Sequence, residues 1–519
     1  MVTNRHTWLL AAIVLYATTF RVATLNRPFD YDAEGAGSVN AVLARSYLRF
    51  DWSQSRGMPI LSLDRERAPS IVFYPDHPPL LPLMIVPFYK LFGVGEWQTR
   101  APIALTTILA IVVLYRLLCA FDGPRTAIVA SAVFAAMPMT LYFGGFADVV
   151  GMPLVLLSLL AVDRYVRFQR APGTGTFVWF VVTFAAAGTC DWPAYVLAPI
   201  FVAHFVVTRP RREWKWAAAF AAVACGMFVI LYVYITIATQ SPWSWMADLF
   251  ARRSVLTGGR GYSWQQWLVA AARENSRYQT WPVIVCAIAW ATLYAWHGAS
   301  GGATVARLLL AWAALYAIIG SKALFDHEWA WMLFTPGLAV AAALLLERVP
   351  AVASAGAIVA FAAWTTYTSF SSLYPARRDR PFTPMQTAAA LRAAAPAPRD
   401  VVLLVGNEDE AQLWFYADRP LRSGIWSIDD LERRIDDDTV DLMFNFDTQP
   451  WKARATGIVF PRIWEHRFAA LHEFLEQRYP RLTLPARISE LFDAYDLRTT
   501  ARQAEEPDAR LQNAVTFDR

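Results

Sequence analysis

Three carboxylates lie within five residues near the start of the chain: Asp30, Asp32 and Glu34. Residues two apart in an extended segment point to the same side, so these acids can raise one another's pKa or share a cation. A carboxylate held beside a membrane can also deprotonate a hydroxyl group while a lipid-borne reactant approaches from the bilayer. Ordinary acids of a surface loop are the alternative, and composition alone favours that alternative.

A second polar segment, Asp76-His77-Pro78-Pro79, stands before an apolar stretch. Its acid and histidine suit contact with a phosphate or a sugar, whereas an Asp before two prolines also suits a helix start. The two interpretations are balanced on sequence alone. Arg100 follows soon after, and its guanidinium either pairs with a phosphate or reaches from a helix end to the membrane interface.

Further ionisable residues flank later apolar stretches. Asp148 suits either a site or a helix N-cap, and for Asp191 we favour the cap. Lys322, His327 and Glu328 lie close together in the sequence. Such a mixture suits a phosphate-binding corner, and charges at a helix end cost little if they reach the membrane interface. Metal binding by His327 with a carboxylate is left open, so a divalent cation is the only cofactor considered.

The composition indicates a membrane protein that crosses the bilayer many times. Of the 519 residues, 56% are hydrophobic and 17% charged, whereas soluble proteins carry about 25% charged residues. The net charge of +5 is explained by arginines in cytoplasmic loops, so no nucleic-acid partner is expected. The four cysteines show no CxxC spacing, which argues against a structural metal or a disulfide framework.

About eleven apolar stretches are long enough to be membrane spans. The segment 79–92 is treated separately, because fourteen helical residues extend only about 21 Å against a hydrocarbon core of about 30 Å. We expect it to lie flat at the outer interface. The predicted spans are 8–25, 97–118, 125–143, 148–166, 176–190, 192–208, 215–238, 281–297, 304–320, 329–347 and 350–370.

Charge gives the expected orientation. With 79–92 flat, the arginine-rich loops all fall on one side, which is the cytoplasmic side by the positive-inside rule. The N-terminus is then cytoplasmic, and every candidate acid faces the other side of a bacterial inner membrane. The loops that set this orientation contain Arg116 and Arg125; Arg164, Arg167 and Arg170; Arg209, Arg211, Arg212 and Lys215; Arg307; and Arg348.

The chain divides by composition into a membrane domain and a smaller soluble domain. Residues 1–370 form the membrane domain, with outer loops at 26–79 and 239–280; the aromatic residues of the second loop either anchor at the interface or stack on a sugar or lipid chain. Residues 371–397 are a linker, 398–500 an extracytoplasmic α/β domain, and 501–519 a flexible tail. Within that domain we predict strands at Val401–Val405 and 440–446, a helix opened by Ser427, and helical segments at 463–479 and 488–495.

Several motifs occur in an order that resembles a known family. Acids follow the first span, His77-Pro78-Pro79-Leu80 follows the loop, and Phe92-Gly-Val-Gly-Glu-Trp-Gln-Thr-Arg100 precedes the next span. The stretch from His327 to Pro336 continues the pattern. This arrangement is similar to the GT-C membrane glycosyltransferases, in particular bacterial relatives of protein O-mannosyltransferases and aminoarabinose transferases. The likeness covers roughly residues 1–370, although the adjacent Asp-Glu of the family is interrupted here as Asp32-Ala33-Glu34.

The resemblance implies an all-α membrane domain of the GT-C type and a function for it. The expected reaction moves a sugar from a polyprenyl-phosphate donor to a hydroxyl of a lipid, glycan or protein acceptor at the outer face. Asp32 or Asp30 would act as base, with Glu34 beside it, and attack would invert the anomeric carbon. We expect one cavity to hold an acid of the first loop, Asp148 and at least one of His77, Lys322 and His327. A transporter or flippase, or an inactive relative, is the alternative.

Overall fold

The fold is that of a computed structural model. It describes residues 2–29, 34–62, 71–148, 150–253, 262–294, 300–373, 383–406, 411–441 and 448–499. The α-helices of these residues, in chain order, are α1 (Val2–Leu25), α2 (Glu34–Arg49), α3 (Trp52–Ser55), α4 (Leu80–Phe92), α5 (Glu96–Cys119), α6 (Pro124–Ala136), α7 (Pro138–Phe143), α8 (Met152–Arg170), α9 (Thr174–Gly188), α10 (Leu197–Thr208), α11 (Trp214–Thr239), α12 (Trp245–Arg253), α13 (Trp264–Tyr278), α14 (Trp281–Leu293), α15 (Gly301–Ile319), α16 (Ser321–Asp326), α17 (Thr335–Leu346), α18 (Ala351–Thr368), α19 (Pro384–Ala394), α20 (Ala411–Ala417), α21 (Ile428–Ile435), α22 (Ala469–Arg478) and α23 (Ala486–Ser489).

Strands occur in the C-terminal part of the described chain. They are β1 (Val401–Val405), β2 (Leu421–Ile425), β3 (Thr439–Asp441), β4 (Thr448–Pro450), β5 (Ala455–Pro461) and β6 (Phe492–Asp496). Short 3-10 helices at Trp192–Val196 and Glu328–Phe334 lead into α10 and α17, and a π-helical turn at Ser369–Leu373 follows α18.

The chain forms two compact units that interleave along the sequence. The first, called the membrane unit, comprises the described residues of Met1–Pro28, Arg56–Met58 and Tyr74–Pro375. The second, called the α/β unit, comprises those of Phe29–Ser55, Pro59–Phe73 and Ala376–Arg519. The segment that sequence reasoning treated as an outer loop of the membrane domain is therefore divided, and most of it folds with the C-terminal residues.

Six helices of the membrane unit are long and apolar enough to cross a bilayer. Each predicted span contains a helix, which confirms a helical multi-pass membrane region; the number of spans, about eleven, stays a prediction. The six are Arg5–Leu25, Glu96–Cys119, Arg211–Thr239, Gly301–Ile319, Glu328–Leu346 and Ala351–Leu373, and shorter apolar helices are Leu80–Phe92, Pro124–Ala136, Thr174–Gly188, Trp192–Thr208 and Trp281–Leu293.

Two predicted spans differ in detail from the helices observed. The span at 125–143 is broken, because Met137 is extended with ψ 135° and Pro138 begins α7. A proline disfavours the helical conformation of the residue before it, which explains the break. The span at 148–166 begins only at Met152 and runs on to Arg170. Arg167 and Arg170 lie in its last turn, where cations favour the helix dipole.

The membrane unit has a buried centre and an open periphery. The helical segment Glu328–Leu346 is 78% buried over its most apolar window and α5 is 56% buried, whereas Arg5–Leu25 is 17% and Ala351–Leu373 is 11% buried. Helix α4 is 13 residues long, or about 20 Å, and the Tyr89 hydroxyl bonds Thr99 Oγ1 of α5 at 2.6 Å. Its flat orientation in the membrane stays a prediction.

A four-stranded mixed sheet organises the α/β unit. The strand order is β2-β1-β5-β6, with β1 parallel to both neighbours and β6 antiparallel to β5. Strand β1 is apolar throughout and buried on both faces, as central parallel strands are. Val402 and Leu404 pack into the cluster that contains Leu413, and Leu403 into the opposite cluster. A C-terminal α/β region, as predicted from the sequence, is confirmed.

Two elements of this unit differ from the local predictions. Residues 488–495 were expected to be helical, and this was wrong: Ala486–Ser489 is a single turn and Phe492–Asp496 is strand β6. Pairing with β5 over five residues, which local spacing does not reveal, determines the strand. The strand expected at 440–446 is observed over Thr439–Asp441, and 442–447 lie outside the described residues.

Candidate functional site

The three acids of the first loop are the residues about which the structure says least. Asp30 and Asp32 lie outside the described residues, and only the backbone of Glu34 is described, as the first residue of α2. The residues around them are well anchored in the α/β unit. The Arg49 guanidinium donates to both carboxylate oxygens of Asp418, at 2.8 and 2.6 Å, and the Phe29 amide donates to the Tyr416 hydroxyl at 2.7 Å.

His77 and Asp191 form a buried pair in the membrane unit. Nδ1 of His77 lies 2.8 Å from Oδ1 of Asp191, and the two residues are 7% and 0% exposed. An ionised Asp191 accepts a hydrogen bond from Nδ1–H of His77, which fixes the tautomer and leaves Nε2 to act as an acceptor or, when protonated, as a donor. Because both groups are out of water, removing one of them leaves the other buried without a partner. If the remaining group is charged, this lowers the stability of the fold by about 3–5 kcal/mol.

Two further hydrogen bonds connect the same segments. Oδ1 of Asp191 also accepts from the Trp192 amide at 2.8 Å, so Asp191 caps the 3-10 helix as the sequence suggested. The indole Nε1 of Trp192 donates to the carbonyl of Asp76 at 2.9 Å. Oδ2 of Asp191 is buried and has no hydrogen-bond partner in the part of the chain that the structure describes. Such an unsatisfied carboxylate oxygen is costly, which marks it as a place for a hydrogen-bond donor from outside the described chain.

The His77–Asp191 pair stands at the edge of a cavity of about 560 Å³. The pair supplies its charged groups, and aromatic side chains from α11, the second outer loop and the 3-10 helix supply much of its wall. Val150 and Gly320 also line it, which brings the segments that carry Asp148 and Lys322 to its edge. The aromatic lining residues are Trp192, Phe228, Tyr232, Trp243, Phe250 and Tyr316.

Asp148 is buried and lies near this pair. It is 5% exposed, and its Oδ1 accepts from the Val150 amide at 2.9 Å, which orders the turn before α8. Asp148 and Asp191 both lie within electrostatic range of the buried Cys190 thiol, so the two acids share one neighbourhood. The cap that the sequence offered as an alternative for Asp148 is not seen directly, because α8 begins with Gly151 at its N-cap.

Arg100 donates hydrogen bonds to backbone carbonyls at the end of helix α1 and just after it. It is 4% exposed and its Nη1 donates to the Leu25 carbonyl at 3.0 Å and to the Arg27 carbonyl, while Nη2 reaches the Pro28 carbonyl at 3.4 Å. The Leu25 carbonyl is one of the orphan carbonyls at the end of α1, and the other two acceptors lie in the segment that follows the helix. The contacts favour an anchoring role for Arg100, and a role in phosphate binding stays a prediction.

The third predicted group lies after α15. Lys322 is partly exposed in the first turn of α16 and shows no hydrogen bond or ion pair with any described residue. His327 stacks on Trp329 with ring centroids 4.6 Å apart, and Trp329 in turn packs against Phe146, two residues before Asp148. Glu328 opens the 3-10 helix before α17 and is partly buried. The group thus meets the Asp148 segment through aromatic contacts.

Among the described residues, no group of three or more His, Cys, Asp or Glu side chains is arranged to hold a metal ion. The first-loop acids Asp30 and Asp32 are outside that part of the chain.

Sequence reasoning underestimated Asp191. It was interpreted as a helix cap, which is correct, yet it is also the partner of His77, 114 residues away. One signal was present: Asp76-His77-Pro78 and Asp191-Trp192-Pro193 both place an acid just before a proline at a helix start. The pattern indicates two caps but gives no reason for them to meet.

Comparison with known proteins identifies the fold. Residues 76–243 match the family model described as dolichyl-phosphate-mannose-protein mannosyltransferase. ArnT from Cupriavidus metallidurans, in a structure bound to undecaprenyl phosphate, is 16% identical with a TM-score of 0.61, over 94% of this chain and 97% of that one. The apo structure of the same protein gives 14% identity and a TM-score of 0.59, over 96% and 98%.

A more distant structure shares the architecture. The archaeal oligosaccharyltransferase AglB from Archaeoglobus fulgidus, in complex with an inhibitory peptide and dolichol-phosphate, is 11% identical with a TM-score of 0.55, over 89% of this chain and 70% of that one. No curated protein sequence matches the chain. The chain is thus a multi-pass membrane protein with the GT-C fold. Its segment 76–243, which begins at Asp76-His77, is similar to the protein mannosyltransferases that the family model describes.

Proposed function

We propose that this protein is an inverting membrane glycosyltransferase that moves a sugar from a polyprenyl-phosphate donor to an acceptor hydroxyl. One observation carries the proposal: a largely apolar cavity in a GT-C fold is edged by the buried His77–Asp191 pair. Ligand sites of this kind combine apolar walls with a few polar groups that fix orientation. A lipid-linked phosphosugar matches such a site, because it combines an apolar chain with a polar sugar phosphate.

The apolar walls suit the first isoprene units of the donor. Trp192, Phe228 and Tyr232 present ring faces to a hydrocarbon chain, and the sugar phosphate would then lie towards His77. Fixed by Asp191, the His77 ring offers Nε2 in one orientation, as a hydrogen-bond donor to a phosphate oxygen when it is protonated. His77 and Asp76 are therefore proposed as donor-binding residues, with Asp191 as a positioning residue.

The base is proposed from the first loop. Asp32 or Asp30 removes the proton of the acceptor hydroxyl, with Glu34 as a neighbour, and the oxygen attacks the anomeric carbon from the side opposite the phosphate. The bond from that carbon to the phosphate oxygen breaks, and the leaving polyprenyl phosphate carries away the electron pair. A phosphate leaving group is acidic enough to depart without protonation, so cations rather than an acid are required.

Cations for the departing phosphate are proposed among Lys322, His327 and Arg100. Lys322 fits best, because it has no partner among the described residues and lies two residues from the cavity lining at Gly320. Arg100 fits least well, since helix-end carbonyls already occupy its guanidinium. Asp148 and Glu328 complete the proposed set as polar contacts for the sugar or acceptor.

The outer face of a bacterial inner membrane is the proposed location of the reaction, with the C-terminal α/β region on that side. A transporter or flippase is the rival function, and it would place polar groups within broken helices at mid-span. Here Asp76, His77, Asp148 and Asp191 lie in connections between helices, and Lys322 lies in a short helix after α15. This distribution favours chemistry at a membrane surface.

The experiment is a donor assay with the full-length protein purified and placed in liposomes. Polyprenyl-phosphate-linked pentoses and hexoses are supplied with an envelope lipid extract, and mass spectrometry follows polyprenyl phosphate release and the mass of labelled products. We expect release that depends on both the sugar and the acceptor. Movement of intact donor between leaflets without cleavage would support the transporter, and neither cleavage nor movement with any donor would overturn the proposal in favour of an inactive relative.

A further inference from the structure

A second cavity lies elsewhere in the membrane unit, between helices α1, α6 and α18. Its volume is about 630 Å³, and twelve of its seventeen lining residues are Ala, Val, Ile or Leu. Six of them are alanines, whose short side chains leave the space between the helices open. The alanines are Ala12, Ala132, Ala136, Ala351, Ala355 and Ala362.

All three helices bring their N-terminal residues to the same end of this cavity, and that end is basic. Arg5 and His6 line it from α1, and Arg125 lines it from α6. Arg5 is exposed and forms no ion pair or hydrogen bond with a described residue. Nδ1 of His6 is buried and has no partner in the described chain. Nη2 of Arg125 donates to the Val349 carbonyl, which fixes the guanidinium at this end without neutralising its charge.

The opposite end of the cavity is closed by a neutral contact. The Tyr16 hydroxyl, which lines the cavity, bonds Thr366 Oγ1 at 2.7 Å and so ties α1 to α18. From Arg5 to Tyr16 the helix rises about 16 Å, or roughly half the 30 Å hydrocarbon core of a bilayer. The cavity therefore has the length of a single leaflet.

The helices on either side are exposed to lipid. The span of α1 is 17% buried and that of α18 is 11% buried within the described chain, so most of their surface is available to lipid. A cavity between two such helices fills with acyl chains unless protein covers it. The cationic end adds selectivity, because basic residues between transmembrane helices attract anionic head groups.

From this juxtaposition we infer that the cavity binds an anionic phospholipid of the cytoplasmic leaflet. Its phosphate lies against Arg5, His6 and Arg125, and one acyl chain lies along the alanines towards Tyr16. The cytoplasmic leaflet follows from the positive-inside rule, since the arginines mark that end. The proposed polyprenyl donor reacts at the outer face, whereas the basic end of this cavity lies at the cytoplasmic leaflet, so a diacyl lipid of that leaflet is the better fit.

Native mass spectrometry of the full-length protein tests this inference. Phosphatidylglycerol and phosphatidylcholine with identical acyl chains are titrated into the detergent-purified protein, and the bound fraction of each is measured. Arg5→Gln removes a cation that forms no hydrogen bond or ion pair with a described residue, so folding should be preserved. Arg116→Gln is the matched control, because Arg116 is also exposed and predicted on the cytoplasmic side but does not line the cavity.

A second pair of variants tests the hydrocarbon part. Ala355→Phe fills the cavity from an exposed position of α18, and Ala357→Phe places the same ring on the same helix outside it. We expect wild type to prefer phosphatidylglycerol, Arg5→Gln to lower that preference about fivefold, and Ala355→Phe to abolish one tightly bound lipid. Both controls should behave like wild type.

Three outcomes would overturn the inference. The two lipids could bind equally to wild type, which removes the role of charge. Each control could have the same effect as its test variant, which would mean that the lipid does not bind in this cavity. Polyprenyl phosphate at equal concentration could displace the bound phosphatidylglycerol in wild type and not in Ala355→Phe, which would assign the cavity to that lipid instead.

Discussion

The two cavities of the membrane unit are similar in size and in the apolar character of their walls, but their polar ends differ. At the first, Nδ1 of His77 and Oδ1 of Asp191 lie 2.8 Å apart and are paired out of water. At the second, Arg5 has no described partner and Arg125 contacts only a backbone carbonyl among the described residues. The first end is thus paired internally, and the second presents unneutralised cations.

This difference separates two kinds of recognition. A buried acid–histidine pair fixes the orientation of one ring nitrogen, and a ligand is selected by the geometry of its hydrogen bonds. Unpaired cations attract any anion that can come close to them, and salt weakens that attraction where the charges are exposed. The first arrangement suits a reacting group, and the second suits a lipid that remains bound.

If the comparison is correct, the polar ends of the two cavities face opposite sides of the membrane. Cysteine labelling tests this orientation, and its result is the largest effect expected because each position is either labelled or not. In a background without the four native cysteines, an impermeant maleimide applied from outside should modify Ser427→Cys and spare Thr174→Cys. The reverse pattern would invert the predicted orientation, and both cavity assignments would then be wrong.

Removing the proposed base should give the largest effect on rate. Asp32→Asn or Asp30→Asn should lower turnover by about 10²–10⁴-fold, the usual contribution of a general base, while donor binding is largely kept. Single-turnover kinetics with a separate donor-binding measurement would distinguish these steps. If both variants retain normal turnover, the first loop does not supply the base.

A smaller loss is expected when the internally paired end is altered. Asp191→Asn keeps the shape but no longer fixes the His77 tautomer, and turnover should fall on the order of 10- to 100-fold, as for other acids that orient a functional histidine. Trp192→Phe is the comparison variant, because it removes the hydrogen bond to the Asp76 carbonyl while it keeps the pair and an aromatic ring in the cavity wall. Equal losses of kcat in the two variants would mean that the pair only holds two segments together.

The proposed phosphate cation should act on donor binding rather than on turnover. Lys322→Ala should weaken donor binding by roughly 1.5–3 kcal/mol, or about 10- to 150-fold, the value of a hydrogen bond to a charged group. Lys90→Ala is the matched control, since Lys90 is exposed on α4 and is not assigned to the site. Unchanged donor affinity in Lys322→Ala would leave Lys322 without a role in the first cavity.

Elements governed by local signals were predictable from the sequence. Val401–Val405 was predicted as a strand with its observed bounds, because five consecutive apolar residues form a strand buried on both faces. Ser427 was predicted to begin a helix, and its side chain does accept from the Asp430 amide. The apolar helices of the membrane unit belong to the same group, because length and composition define them.

Features that depend on distant contacts were not predictable from one sequence. Strand β6 was mistaken for a helix because only its pairing with β5 determines its conformation. The partnership of His77 with Asp191 joins positions 114 residues apart, and no local pattern encodes it. The second cavity results from alanines on three separate helices that are brought together by packing.

The assignment of the first loop to the α/β unit has a consequence for the timing of synthesis. Phe29 bonds Tyr416 at a separation of 387 residues, and Arg49 pairs with Asp418. At a translation rate of 5–20 residues per second, roughly 20–80 s pass between the synthesis of the first loop and the synthesis of its partners. A chain that stops before residue 416 lacks the partners of Phe29 and Arg49, so we expect the proposed first-loop base to be unsupported and such a truncated product to be inactive.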